Sequence, residues 1–272
     1  MNLARVGASC ILRALIQAGK STMNIIVCIR RAPVTDARIK PGADNKSYDP
    51  AGVNYDISEY DKFAIEAGIV LKEKNPGSKV TVITLGVKDA AKDLRTAIAM
   101  GCDAATLLVS DKEHDAFSTA SALAGKIRTM PHDVVLFGHT SVDNQSSGTG
   151  QMTAEFLGIA CASVVTSLAV EGGVAKIERE IEGGKRERLE LKLPCAVTCQ
   201  KGLNKPRSAS MKGIMAAKNT KVEEVPANAP ANLLNVTRMD PPPPRPAGKI
   251  VGEGPDAARK LVELLRNEAK VI

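Results

Sequence analysis

Apolar residues along this chain fall into two alternating textures. Short dense runs recur at Asn24–Arg30, Lys79–Leu85, Ala104–Val109 and Asp133–Gly138. They lack the strict alternation of a half-exposed strand, so each reads as a strand buried on both faces. Between them, apolar residues stand three and four apart. Tyr60, Phe63, Ala64, Ala67 and Leu71 do so within Ser58–Asn75, and Ala90, Leu94, Ala97 and Ile98 within Asp89–Met100. Phe117, Ala120, Leu123 and Ile127 repeat the spacing within Ala116–Met130. That spacing marks one face of a helix. Ser58 is the expected N-cap of the first helix, with Asp61 three residues on, and Pro76-Gly77 stops it. Gly101 closes the second. Residues 31–53, rich in Pro, Gly and Asp, read as a long loop. Strands alternating with helices predict a parallel sheet with right-handed crossovers, its strand C-termini and any ligand on one edge.

After Gly158 the texture changes. Ser163–Val170, Val174–Ile181 and Arg188–Leu193 read as short strands separated by Gly172-Gly173 and Gly183-Gly184, a meander rather than more strand–helix–strand units. From Lys201 the chain becomes basic and irregular and then passes through Pro241–Pro244, which must be extended. A last helix is expected at Asp256–Ala269, with Ala257, Leu261, Leu264 and Leu265 on one stripe. It has nothing local to bury against and is read as wrapping a partner.

Composition narrows the picture. The 272 residues are 44% hydrophobic but only 3% aromatic, without Trp, so the core must rest on Ile, Val, Leu and Ala. No stretch reaches the roughly 18 apolar residues of a membrane span, and no direct membrane insertion is expected. The net charge of +7 is spread along the chain without aromatic interleaving, which argues against nucleic acid and suits docking to acidic protein partners. The six cysteines form no C-x-x-C pair, so they read as small buried hydrophobes rather than metal ligands. Residues 1–22 hold Arg5, Arg13 and Lys20 but no acid. They are either a transit-type peptide, implying the mitochondrial matrix, or an upstream extension outside the fold, with the rest of the chain in the bacterial cytoplasm.

The segment richest in chemistry follows the fourth strand: Gly138, His139, Thr140, Ser141, Val142, Asp143, Asn144, Gln145, Ser146, Ser147, Gly148 and Thr149, running into a helix that starts near Thr149. Free backbone N–H groups and the dipole at a helix N-terminus favour an anion. Ser147, Gly148, Thr149 and Gly150 would let a phosphate approach closely. The alternative is a Gly/Ser connector that merely caps the helix. Gly148-Thr-Gly-Gln-Met-Thr153 lacks the third Gly of a dinucleotide fingerprint, and no Walker-type loop is present, so a hydrolysing enzyme is not expected. No Ser-His-Asp or Cys-His arrangement can be picked out, and His139 reads either as suggestive of the site or as an ordinary loop residue.

Five ordered segments carry a family resemblance: Ala64–Ala67 with Leu71–Glu73, Leu94–Gly101 with Asp103, Thr149–Ala154, Glu178–Gly184, and Leu203–Arg207 followed by Ile214–Lys218. Over residues 23–225, and more loosely onward, the chain resembles the β subunit of electron transfer flavoproteins. The resemblance implies an α/β fold with a parallel Rossmann-like sheet of the adenine-nucleotide α-hydrolase-like kind, a small β-meander and an extended C-terminal arm over residues 226–272. It implies an adenosine-phosphate pocket at Cys28, Ser58, Glu59, Tyr60, Asp61, Leu85 and the loop from Gly138 to Thr149, mostly through backbone groups. Leu203 would be the apolar anchor that enters a partner acyl-CoA dehydrogenase, or else a buried loop residue. Glu180 would hold the mobile flavin domain, or else be an exposed strand residue. The implied cofactors are FAD, held mainly by a partner α subunit, and AMP in this chain. The implied acceptor is a membrane quinone reductase, and the chain would be a carrier rather than an enzyme. The family usually has Asn-Pro where this chain has Ser58-Glu59, and its acidic run is replaced by Asn144–Gly148. Members with a second FAD in this pocket usually show Val-Gly-Pro where this chain has Thr149-Gly-Gln151, which favours AMP over the bifurcating, two-FAD alternative. A free-standing adenine-nucleotide module is the other alternative, and an ATP-using ligase of the related group ranks below it because only Asp143 stands near the loop as a metal-binding carboxylate.

Overall fold

The computed structural model describes residues 22–244 and 247–272; the extension read at residues 1–22 lies, but for Thr22, outside the described residues. Two compact units are present: residues 22–39 with 50–237, and residues 40–49 with 238–244 and 247–272.

The larger unit is built on a nine-stranded sheet. Its strands are β1 (Asn24–Cys28), β4 (Lys79–Gly86), β5 (Ala104–Val109), β6 (Val134–Gly138), β7 (Ala160–Glu171), β8 (Val174–Ile181), β9 (Lys185–Lys192), β10 (Cys195–Cys199) and β11 (Glu223–Pro226), in the order β11-β5-β4-β1-β6-β10-β7-β8-β9. Every pairing from β11 to β7 is parallel, and β7-β8-β9 is antiparallel. A short antiparallel hairpin of β2 (Arg31–Pro33) and β3 (Tyr55–Ile57) interrupts the stretch read as pure loop.

Helices α1 (Glu59–Lys74), α2 (Ala91–Met100), α3 (Ala116–Ile127) and α4 (Thr149–Leu157) stand at or within a few residues of their expected places. Alternate residues of β1 feed opposite faces. Ile25 and Val27 join a core with Ala64, Ile65, Leu94 and Ala97 of α1 and α2, whereas Ile26 and Cys28 join one with Leu123, Ile127 and Ala154 of α3 and α4. Dense apolar runs are strands here because both faces are covered.

The chain leaves β1 toward β4 and β5, then crosses back to lay β6 on the other side of β1. That reversal opens a crevice outside the carboxyl ends of β1 and β6, where open α/β sheets take ligands. Two elements depart from the sequence reading. β10 closes the parallel sheet between β6 and β7 and is wholly buried, so the chain returns to parallel pairing after the meander. Residues 211–219 of the supposedly irregular basic region form α5 (Met211–Asn219), and β11 follows it.

The change from parallel to antiparallel pairing has a local mark. The register of β7 shifts against both β10 and β8 near Val164, which sits at φ 60°, a strained place for a β-branched residue. Its N–H donates to Thr198 Oγ1 at 3.1 Å. In the smaller unit, α6 (Gly254–Asn267) half-covers Ala257, Leu264 and Leu265 and leaves Leu261 and Val262 exposed. No helix among the described residues is long and apolar enough to cross a membrane.

Helix α5 sits on α2 through Gly213, where an added Cβ would stand 2.2 Å from the Ala99 carbonyl oxygen. Gly213→Ala must therefore lift α5, and the expected loss is about 1–3 kcal/mol of stability in urea denaturation.

Candidate functional site

The crevice is organised by one buried carboxylate. Asp61 Oδ2 accepts the Arg30 N–H at 2.6 Å and Oδ1 accepts the Gly138 N–H at 3.0 Å. The first turn of α1 is thereby tied to the ends of β1 and β6. The expected capping pair is corrected: Ser58 occupies the N-cap position but its side chain makes no cap hydrogen bond; the Asp61 N–H donates to the Ser58 carbonyl at 2.9 Å, and the Asp61 side chain turns toward the two strands. Gly138 permits the contact. A Cβ there would lie 2.3 Å from Asp61 Oδ1 and 2.8 Å from Asp61 N. Burial pushes the Asp61 carboxyl up to about 7, against the two N–H donors that favour its ionised form.

The loop after β6 is held mostly by its own polar groups. His139 N–H donates to the Cys199 carbonyl at 2.9 Å, and Ser141 N–H to the Ser146 carbonyl at 3.0 Å. Asn144 Oδ1 accepts from the Ser141 hydroxyl and from Ser146 N–H. Gln145 adopts φ 54° and donates its N–H to the Ser141 carbonyl. Arg30, just beyond β1, grips Asp143 with Nε at 2.9 Å and a terminal nitrogen at 2.6 Å. Burial would raise the Asp143 carboxyl, but the Arg30 guanidinium, with Ser141 and Asn144, holds it below the usual range. Arg30 is a site residue the sequence reading missed; a charged residue directly after a buried strand, facing an acidic loop, was the available signal.

What the loop leaves free faces the crevice edge. Gly148, at the N-cap of α4, supplies no side chain to cap the helix, so the first amides of α4 lack intrahelical partners. The hydroxyls of Ser147 and Thr149 have no hydrogen-bond partner among the described residues. Ser58 Oγ and His139 Nδ1 are covered yet unpartnered. A buried hydroxyl without a partner costs about 1–3 kcal/mol, and such atoms at one crevice are what a polar ligand would satisfy. Tyr60 stands edge-on to the His139 ring at 6.1 Å between centroids. Burial lowers the pKa of His139, against the opposing charge of Glu180, which favours neutral imidazole.

The other predicted residues fall as follows. Cys28 ends β1, fully buried, with its thiol pushed up by burial and then by Asp61. Leu85 is half-buried near the end of β4, and Glu59 is exposed, paired with Lys62. Thr140 and Val142 are half-buried in the loop. A cleft of about 50 Å³ lies between the β2-β3 hairpin, Glu59 and Val142; any adenylate-sized group would extend along the open loop. Glu180 is exposed on β8.

Leu203 is half-buried and packs on the core, because Asn204 Nδ2 bonds the Phe63 carbonyl of α1 at 2.9 Å and draws that stretch inward. The exposed large apolar residues of α5 are Met211 at 77%, Met215 at 61% and Ile214 at 39%. The sequence reading missed them because it did not expect this helix.

Parallel sheet, switch-point crevice and uncapped helix terminus together define a Rossmann-like α/β protein. A profile of the electron transfer flavoprotein domain matches residues 46–230. The chain is 37% identical over 262 residues to the electron transfer flavoprotein subunit beta of Bacillus subtilis, covering 92% of this chain and all of that protein. It is 37% identical to that of Syntrophomonas wolfei, covering 92% and 98%, and 32% identical to the human one, covering 90% and 98%. The chain belongs to the electron transfer flavoprotein β subunit family.

Asp61 makes a pH prediction. Its folded pKa, about 7, lies above the ordinary carboxylate value of ~3.9. The folded state therefore holds the proton more tightly, and the stability this contributes is present below about pH 4 and lost as pH rises to about 7. Urea midpoints measured from pH 4 to pH 8 should show this slope in the wild type. Asp61→Asn should be less stable at neutral pH and lack that component; an unchanged slope would refute the assignment.

Proposed function

We propose that this chain, with an α subunit, forms a heterodimeric electron transfer flavoprotein that takes electrons from acyl-CoA dehydrogenase-type donors and passes them toward a membrane quinone reductase, with AMP in the crevice beside Asp61. Family membership supports the carrier role and the α-subunit partner. The observation that carries the nucleotide reading is the pair of covered, unpartnered atoms, Ser58 Oγ and His139 Nδ1, beside the uncapped α4 amides. These groups fit an adenosine phosphate: amides and hydroxyls for the phosphate, and buried acceptors or donors for the sugar or base.

FAD, held mainly by the α subunit, supplies the redox chemistry. The residues of this chain position and dock. The loop from Gly138 to Thr149 holds an anion without breaking a bond. Leu203, partly exposed in the segment fastened to α1, is the apolar anchor for the donor. Glu180 faces the α subunit from the meander, and the stretch from residue 226 onward wraps that partner. Such donors place the protein in the bacterial cytoplasm or the mitochondrial matrix.

The test is to co-express the chain with its α subunit, denature the purified heterodimer and quantify the released groups. One FAD and one AMP per heterodimer are expected. Two FAD and no AMP would replace the AMP reading with the bifurcating alternative, and a chain purified alone with no flavin-bearing partner would favour a free-standing nucleotide module.

A further inference from the structure

The tip of the loop after β6 bonds mostly to itself. Within residues 140–147, Ser141 pairs with Ser146, and Asn144 with both. Among the described residues, Arg30 makes the one hydrogen-bonded link from that tip to another part of the chain. Its Nε donates to Asp143 Oδ2 at 2.9 Å and to Oδ1 at 3.2 Å, and a terminal nitrogen donates to Oδ2 at 2.6 Å. Asp143 passes the hold on, since its Oδ1 also accepts the Asn144 N–H at 2.8 Å. The backbone of Arg30 is fixed on the opposite side. Its N–H donates to Asp61 Oδ2 at 2.6 Å, and its carbonyl accepts the Ser58 N–H at 2.9 Å. Both partners lie at the start of α1. Arg30 therefore joins two lips of the crevice: its main chain sits on the one that carries Ser58 Oγ, and its guanidinium on the one that leads to Ser147 and the α4 amides. Charge-assisted bonds from two nitrogens fix direction as well as distance. A loop held in place beforehand also spares a ligand the cost of ordering it.

We propose that Arg30 is a positioning residue for the nucleotide: its two-nitrogen grip on Asp143 holds the 140–147 tip at a fixed distance from the start of α1, so that Ser58 and the α4 amides meet one ligand together. This rests on the AMP reading given above. A guanidinium already paired with a carboxylate is a weak counter-charge for a second anion, so Arg30 acts on the loop and not on the phosphate. The two roles differ in sign at Asp143. If Arg30 works through the loop, removing the Asp143 charge loosens the nucleotide. If Arg30 touched the phosphate, freeing it from Asp143 would tighten the nucleotide.

The experiment uses the FAD-loaded heterodimer and radiolabelled AMP. The exchange rate of bound AMP, the FAD content and the urea midpoint are measured for each form. The variants are Arg30→Lys, Asp143→Asn, and Arg30→Gln combined with Asp143→Asn. All three should exchange AMP about tenfold faster than the wild type, the scale of a lost charge-assisted contact, with FAD content unchanged. Arg30→Lys should not rescue, because an ammonium lacks the planar fork. The double variant should be no worse than Asp143→Asn alone, because the two side chains act as one unit. Asp143→Asn that holds AMP as tightly as the wild type, or more tightly, overturns the proposal. So do FAD content and urea midpoint that fall in step with AMP retention, since Arg30 then serves general stability. If the wild type holds AMP and no variant changes its exchange, the AMP reading stands and the role of Arg30 is refuted. A wild type that neither holds nor takes up AMP refutes the AMP reading itself, and this proposal with it.

Discussion

The structure depends on a buried carboxylate that joins three chain segments at the switch point of the sheet. Parallel strands β1 and β6 are adjacent through their ladder, but beyond their last paired residues each has backbone N–H groups with no strand to receive them. Asp61 accepts one from each. The cost of burying the carboxyl shows in its raised pKa, and a protonated acid would set its own O–H against one of the two amides. The contact ties the start of α1 to the ends of β1 and β6. The close approach at Gly138 follows from the same contact.

Helix α1 then connects two functions. Its first turn borders the crevice through Ser58, Tyr60 and Asp61, while its middle and end carry Phe63, Glu66 and Glu73, on which the 203–207 segment is fastened. A sixteen-residue helix buried along one face by Ala64, Ile65, Ile69 and Leu71 moves as a rigid body. The crevice and the 203–207 segment are thus referenced to one element.

The alternation of dense and helically spaced apolar runs was legible because strands buried on both faces and helices buried on one leave different periods. β10 was not. Cys195-Ala-Val-Thr-Cys199 follows a proline after three meander strands, and nothing local says that it pairs with β6, 57 or more residues earlier in the chain. Helix α5 was missed because only Ala217 is buried along it, so it has no apolar stripe to read. The spacing of Asp61 from Ser58 reads as a cap in the sequence, and only the fold brings Arg30 and Gly138 within its reach.

The chemistry of the loop explains why its side chains are a poor guide to its function. Ser141, Asp143 and Asn144 are spent on holding the 138–149 turn in shape, with Arg30 clamping it from β1. What remains for a ligand is largely backbone: the α4 amides, with the hydroxyls of Ser147 and Thr149 beside them. Backbone donors survive substitution of the residues that carry them, provided the turn keeps its path. The departures at Ser58-Glu59 and at Asn144–Gly148 change side chains while leaving α1 and α4 starting where an anion-receiving crevice requires. Selectivity among ligands must then come from what closes the open side of the loop, where the cleft is small, rather than from the loop itself.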